Sequence, residues 1–197
     1  MKKIQWKGGA LLAPIPPAMV TCGTEEEKNV LTIAWTGIIN TIPPKTYISV
    51  RPSRHSYRLI KENGEFVINL TTSSMIRAAD FCGVRSGKDL DKFEACGLET
   101  EPGFTVKAPV LSQSPVSLEC RVTQIIPLGS HDMFLADITA VDVDPQYLDE
   151  NGKLCLSRSH LAAFAHGEYL ELGKKIGSFG FSVRKKRKKN PHLRKKK

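Results

Sequence analysis

Two arginines, a histidine and two hydroxyls crowd into Arg51-Pro52-Ser53-Arg54-His55-Ser56. The segment follows Tyr47-Ile48-Ser49-Val50, which reads as a strand, and opens a helical run that reaches Asn63. A helix start offers free backbone N–H groups and a positive dipole end, so this mouth suits a phosphate. A lone Ser-Arg-x-Ser would more simply be a helix cap beside surface arginines, and Arg51 adds a further cation to it. Upstream, Asn29-Val30-Leu31-Thr32-Ile33-Ala34-Trp35-Thr36-Gly37 runs a strand into a loop of small residues around Trp35. The backbone of an irregular segment supplies donors and acceptors in one plane, as a flat heterocycle requires. A phosphate seat beside a slot for a planar ring is the pattern of a nucleotide-like cofactor.

Other chemistries fit less well. Gly83-Val84-Arg85-Ser86-Gly87-Lys88-Asp89 imitates a P-loop but has three residues between its glycines, and Asp89 stands where a magnesium-binding hydroxyl belongs. No Gly-x-Gly occurs, so a dinucleotide-binding fingerprint is absent, as are His-Glu-x-x-His and Gly-x-Ser-x-Gly. His160 and His166 are six residues apart and would not share a helical face. Five scattered cysteines include no Cys-x-x-Cys pair, which argues against a zinc ribbon and suits a reducing cytoplasm. Cys82 is either a redox-active thiol or, more simply, a small buried residue. Trp35 in the plainer reading is core, and Lys92 in Asp89-Leu90-Asp91-Lys92 is an exposed lysine.

The elements that must hold these residues are mostly strands. Met19–Cys22, Asn29–Ala34, Thr46–Val50 and Phe66–Leu70 read as strands from their β-branched content and punctuation. Glu25-Glu26-Glu27 is a solvated turn. Helices are expected at Ser56–Asn63 before Gly64, at Ser73–Cys82 closed by Gly83, and at Asp89–Cys96 with Asp89 as cap and Gly97 as stop. Ser117–Ile126 and Met133–Val143 form a hairpin, and Lys153–Leu156 is a candidate to close the sheet. Short strands, hairpins and a few helices predict an antiparallel barrel with helical inserts.

Gly64-Glu65-Phe66-Val67-Ile68-Asn69-Leu70, Asp80-Phe81-Cys82-Gly83, Ser86-Gly87-Lys88-Asp89-Leu90-Asp91-Lys92-Phe93 and His166-Gly167-Glu168-Tyr169…Gly173…Ile176-Gly177…Gly180-Phe181-Ser182-Val183 follow the helix mouth in order. With the segments above, this collinear set resembles the flavoredoxin and flavin reductase-like proteins over about Ala10 to Val183. The resemblance implies a mainly β, Greek-key split β-barrel that binds FMN. It implies that Asn29, Thr32, Ile33, Ala34, Trp35 and Thr36 border the flavin ring. Arg51, Ser53, Arg54 and Ser56 would seat its phosphate, with Ser56 in place of a phosphate-binding hydroxyl. Lys92 would reach the phosphate or ring edge, with Ser86 beside it. Cys82 would lie near the cofactor, and His131 and Phe164 at the flavin edge. It also implies a homodimer whose two chains enclose the flavin, with NAD(P)H as reductant over the exposed ring face.

A chain of 197 residues suits one domain with a tail. The net charge of +9 is local: residues 184–197 hold ten Lys or Arg and no acid. Without them 19 basic side chains face 20 acidic ones. The expected division is therefore a split-barrel domain over 1–183 and a basic, disordered tail over 184–197. The tail is either a solubilising terminus or a non-specific contact for polyanions, since no aromatic interleaves its lysines. No signal peptide or membrane span is expected, which places the chain in the cytoplasm. Three functions fit: a flavin-dependent oxidoreductase using NAD(P)H, an electron-transfer flavoprotein reduced by a redox protein, or a non-catalytic binding module.

Overall fold

A computed structural model describes residues 1–184. Its centre is a seven-stranded antiparallel sheet in the order β2-β1-β5-β8-β9-β4-β3. The strands are β1 (Ala18–Gly23), β2 (Lys28–Ile33), β3 (Thr36–Thr41), β4 (Pro44–Val50), β5 (Glu65–Asn69), β8 (Val116–Pro127) and β9 (Asp132–Val143). Two-stranded ribbons add β6 (Thr100–Glu101) with β7 (Val110–Leu111), and β10 (Ala162–Ala165) with β11 (Glu168–Glu171). The helices are α1 (His55–Asn63), α2 (Ile76–Val84) and α3 (Lys92–Cys96). Among the described residues no helix is long and apolar enough to cross a membrane.

Both faces of the sheet are covered, and the period-2 alternation of strand side chains sorts the two cores. From β1, Ala18, Val20 and Cys22 join Leu31, Ile33, Phe66 and Phe134 in a core closed by Leu59 and Ile60 of α1. Met19 points the other way and packs with Val30, Ala79 of α2 and Phe93 of α3. A strand sandwiched like this reads as a continuous apolar run, as β1 does. The edge strands β2 and β3 do not pair with each other, so the barrel is split. Only Ala34 and Trp35 join them, and the Ser49 N–H donates to the Trp35 carbonyl at 2.9 Å. The end of β2 and the end of β4 thus meet at the seam, and α1 starts beside it.

Four local expectations need correction. The stretch from Thr36 to Pro44 is a hairpin arm rather than a loop. Gly37 and Pro44 mislead there because β3 is an edge strand and β4 begins at the proline, where no ladder bond is lost. Gly83 lies within α2, which runs on to Val84 with Arg85 as its cap: its φ is not left-handed, and a Cβ there would stand in ordinary contact 3.4 Å from the Thr32 Cβ, so this glycine does not stop the helix. The cap of α3 is Asp91, not Asp89: its carboxylate accepts from the N–H groups of Phe93 at 2.7 Å and Glu94 at 3.2 Å. Lys153–Leu156 does not close the sheet; Leu154 makes an isolated bridge to Leu148, and a 3-10 turn follows at Leu156–Arg158. The tail expected over 184–197 lies, beyond Arg184, outside the described residues.

Candidate functional site

Two hollows meet at the seam. The first, about 230 Å3, is walled by Asn29 and Leu31 of β2, by Arg51, Ser53, Arg54, His55 and Ser56 at the mouth of α1, by Arg85, Ser86 and Gly87 after α2, and by Lys92 of α3. The second, about 200 Å3, is walled by Leu31 to Trp35, Ser49, Val50 and His131, and shares Arg51 and Arg54 with the first. Each is smaller than the ~300–1,000 Å3 of an ordinary ligand pocket. Joined across the two arginines, they make one elongated site.

The first hollow has a cationic lining that suits an anion. Helix α1 starts at Arg54 without a side-chain cap and has no acid in its first turn, so its dipole and free N–H groups are uncompensated. Arg51, Arg54 and Arg85 have no ion-pair partner among the described residues. Ser56 is buried, and its Oγ accepts from Asn29 Nδ2 at 2.7 Å, which leaves the hydroxyl hydrogen for another acceptor. Gly87 permits this pairing: a Cβ there would stand 2.1 Å from Asn29 Oδ1.

Lys92 is not the exposed lysine of the plainer reading but a buried one. Its Nζ donates to the carbonyls of Val30 at 2.7 Å and Cys82 at 2.9 Å, so it ties α3 to β2 and to α2. An ammonium has three donors, and the side chain lines the first hollow. Burial lowers its pKa; nearby Cys82 opposes that shift and the Arg54 charge adds to it. An anion in the hollow would relieve both the burial and the cationic crowding.

The second hollow has a different character. Thr32 Oγ1 is buried with no hydrogen-bond partner among the described residues. A group left in that state costs about 1–3 kcal/mol, which a ligand atom could recover. Trp35 stays half open at the seam, with 37% of its surface exposed. His131 sits in the β8–β9 turn, its Nδ1 2.9 Å from Ser130 Oγ. Burial first, then Arg51 and Arg54, hold its pKa below the ordinary histidine value, which favours the neutral ring.

Three residues implied by the resemblance lie off these walls. The Thr36 hydroxyl donates to the Tyr47 carbonyl at 2.6 Å within the β3–β4 pairing. Cys82 is packed among Met19, Val30, Ala79 and Phe93, and burial pushes its thiol up to about 12. An un-ionised thiol is a poor nucleophile, so Cys82 acts through the carbonyl that holds Lys92. Phe164 lines a third hollow of about 210 Å3 that shares Thr32, Ile33 and Ala34 with the second. There its ring lies 5.2 Å from that of Tyr169, whose hydroxyl donates to Asp80 at 3.1 Å. A larger hollow of about 410 Å3 elsewhere includes Glu25, Glu26 and Glu101 and shares no wall with the cationic seat. Its acids suit an anion poorly. Arg85 and Gly87 have structural roles at the seat that their sequence hid, since they stood inside a failed P-loop. The signal was an Arg-Ser-Gly directly after a helix.

A family-wide model of the flavin reductase like domain matches residues 12–173. The flavoredoxin of Desulfovibrio vulgaris (Miyazaki F) superposes with a TM-score of 0.86 and 28% identity, over 93% of this chain and 100% of that one. The flavoredoxin from Methanosarcina acetivorans gives 0.84 and 25% over the same shares. FMN reductase (NADH) RutF of Pseudomonas syringae pv. syringae is 26% identical over 99 residues, 50% of this chain and 53% of that protein.

Proposed function

The chain belongs to the family of the flavin reductase like domain, and on that premise we propose that it binds FMN along the seam and works as an oxidoreductase. In this proposal it takes a hydride from NAD(P)H and passes electrons to an acceptor. The observation that carries the proposal is the junction of the two hollows across Arg51 and Arg54: an anion seat on one side, a slot with an orphaned hydroxyl on the other. The residues fit the group. Arg51, Ser53, Arg54, Ser56 and Lys92 would hold the phosphate, with Ser86 and Arg85 at its rim. Asn29 fixes Ser56. Thr32 and the backbone of Ile33 and Ala34 would meet the ring edge, with Trp35, His131 and, from the neighbouring hollow, Phe164 around it.

When bound, FMN supplies two-electron acceptance and stepwise release of electrons. The protein's part is orientation and electrostatics. The guanidinium groups and Lys92 favour added negative charge in their vicinity and so favour the reduced state. Neutral His131 can accept or donate a hydrogen bond at the seam without adding to the arginine crowding. The site stays open on the Trp35 side, and a second copy of the chain closing it agrees with the exposure of the β3 edge, where Ile38 and Ile39 face outward. The similarity to two flavoredoxins supports a second reading, an electron-transfer flavoprotein reduced by a protein donor.

One experiment separates the readings. Purified protein loaded with FMN is mixed anaerobically with NADH, then with NADPH, and the visible flavin absorbance is followed. Rapid bleaching supports the reductase. A flavin that stays oxidised with both, yet is reduced by a redox protein, supports the second reading. A protein that takes up no flavin contradicts both.

A further inference from the structure

Helical spacing puts two cysteines face to face beside the anion seat. On α2, Cys82 follows Ala78 by four residues and Ala79 by three, so the three share one side of the helix. On α3, Phe93 and Cys96 are three apart and do the same. Both sides meet in the core that Met19 and Val30 enter from the sheet, with Cys82 buried there and Cys96 half-buried against it. The small Ala78 and Ala79 let the two helices come close. The Lys92 bond to the Cys82 carbonyl, 2.9 Å, ties the start of α3 to the same turn of α2. The two thiols lie within hydrogen-bonding reach of each other, and after burial the nearness of Cys96 is what holds the Cys82 thiol up. Cys22 and Cys120 are buried in the core on the other face of the sheet, and Cys155 precedes the 3-10 turn at Leu156–Arg158.

The chain between them is one wall of the seat. Residues 82–96 run from the end of α2 through Arg85, Ser86 and Gly87 to Lys92 and α3, and these four line the first hollow. We propose that Cys82 and Cys96 join in a reversible disulfide, formed by hydrogen peroxide, that closes this loop and fixes its four residues around the seat. The half-buried Cys96 sulfur, as thiolate, attacks the peroxide O–O bond and becomes a sulfenic acid, and one water is released. The Cys82 sulfur then attacks the Cys96 sulfur, and its proton leaves with the sulfenic hydroxyl as a second water. Two thiols lose two electrons, and one peroxide is reduced to two waters. Buried Cys82 is a poor nucleophile toward a peroxide in solution, but beside an oxidised Cys96 proximity replaces acidity.

The test uses the full chain carrying Cys155→Ser, which removes the other half-buried thiol. The folded protein is treated with hydrogen peroxide, alkylated, unfolded and cut with trypsin. Residues 78–85 and 93–107 should be recovered as one linked pair, two hydrogens lighter than the free peptides together and separated by dithiothreitol. The apo melting temperature should rise by about 5–10 °C on oxidation, as closing a loop of this length implies, and fall back on reduction. Cys82→Ala and Cys96→Ser should each abolish the link and the rise. Cys96→Ser alters only a half-buried side chain, so its reduced form should melt with the reduced parent. The effect on FMN rests on the reading of the first hollow as a phosphate seat: release of FMN from the oxidised form should slow about two- to tenfold, since fewer side chains need ordering. A flavin that binds neither form contradicts that reading, while the peptide map and the melting temperature still decide the disulfide. Recovery of Cys96 as sulfinic acid with Cys82 free would overturn the disulfide. So would equal linkage in protein oxidised in urea, which would owe nothing to the packing of α2 on α3. Linked protein with an unchanged or lowered melting temperature would overturn the pinning of the loop, and an equal rate of FMN release from the two forms would overturn its hold on the seat.

Discussion

Replacing Lys92 by methionine keeps most of the side-chain volume and removes the ammonium. Two hydrogen bonds are lost, to Val30 O and Cys82 O, and both carbonyls lie in a buried region between β2, α2 and α3. Hydrogen bonds to a charged group are worth about 1.5–3 kcal/mol each. Against that stands the desolvation of a buried ammonium, visible in its lowered pKa. A net loss of about 2 kcal/mol in the apoprotein follows, which for a chain of this size is about 4–8 °C in Tm. FMN should weaken further, because Lys92 lines the hollow proposed to seat the phosphate: one charge-assisted bond lost is about 10- to 100-fold in Kd. Riboflavin, lacking phosphate, should weaken much less. The assays are thermal melting of apoprotein by circular dichroism and flavin titration by fluorescence quenching. An unchanged apo Tm would refute the two carbonyl bonds. A lowered Tm with unchanged FMN affinity would make Lys92 structural only.

Gly87→Ala should displace Asn29 from Ser56, since a Cβ would meet Asn29 Oδ1 at 2.1 Å; the expected outcome is about 1–3 kcal/mol lower stability in denaturant titration, with FMN affinity falling alongside it. Asp142 is raised to about 6 by burial and then by the nearby Glu119 charge, and both its carboxylate oxygens are buried without hydrogen-bond partners among the described residues. Its folded pKa lies above the unfolded value near 3.8, so the protein is favoured below that value and loses this contribution as pH rises through about 6. Asp142→Asn should therefore stabilise the protein at pH 8, by about 1 kcal/mol after allowance for solvent screening, and have little or no stabilising effect at pH 4, as read by melting temperature at the two pH values. Trp35 emission, isolated by Trp6→Phe, should be strongly quenched by bound FMN; unchanged emission would place the indole far from the ring.

The strands with β-branched runs and the helix at Ser56 were legible because local pattern and burial agree there. The β3 edge strand was not: Gly37 and Pro44 read as loop punctuation, and only the pairing with β4 shows that an edge tolerates them. Asp91 and Asp89 are indistinguishable as caps until the chain direction into α3 is known. At the site, Arg51, Ser53, Arg54 and Ser56 stand within six residues of one another, so a single segment pointed to one wall of the hollow, the proposed phosphate seat. Lys92 and Arg85 arrive from other elements, and their convergence depends on α2 and α3 packing over β2. The burial of Lys92 was invisible in Asp89-Leu90-Asp91-Lys92, because nothing local says which lysine must satisfy two strand and helix carbonyls. Thr32 is the same case in reverse: its type is ordinary, and only the closed surroundings reveal a hydroxyl without a partner.

The most direct measurement is the affinity of the apoprotein for FMN against riboflavin, taken side by side by fluorescence titration at low salt. With Arg51, Arg54, Ser56 and Lys92 around one anion seat, FMN should bind at least about 100-fold more tightly, the equivalent of two charge-assisted hydrogen bonds after desolvation. Equal affinities would contradict a phosphate in that seat and, with it, the placement of the flavin along the seam.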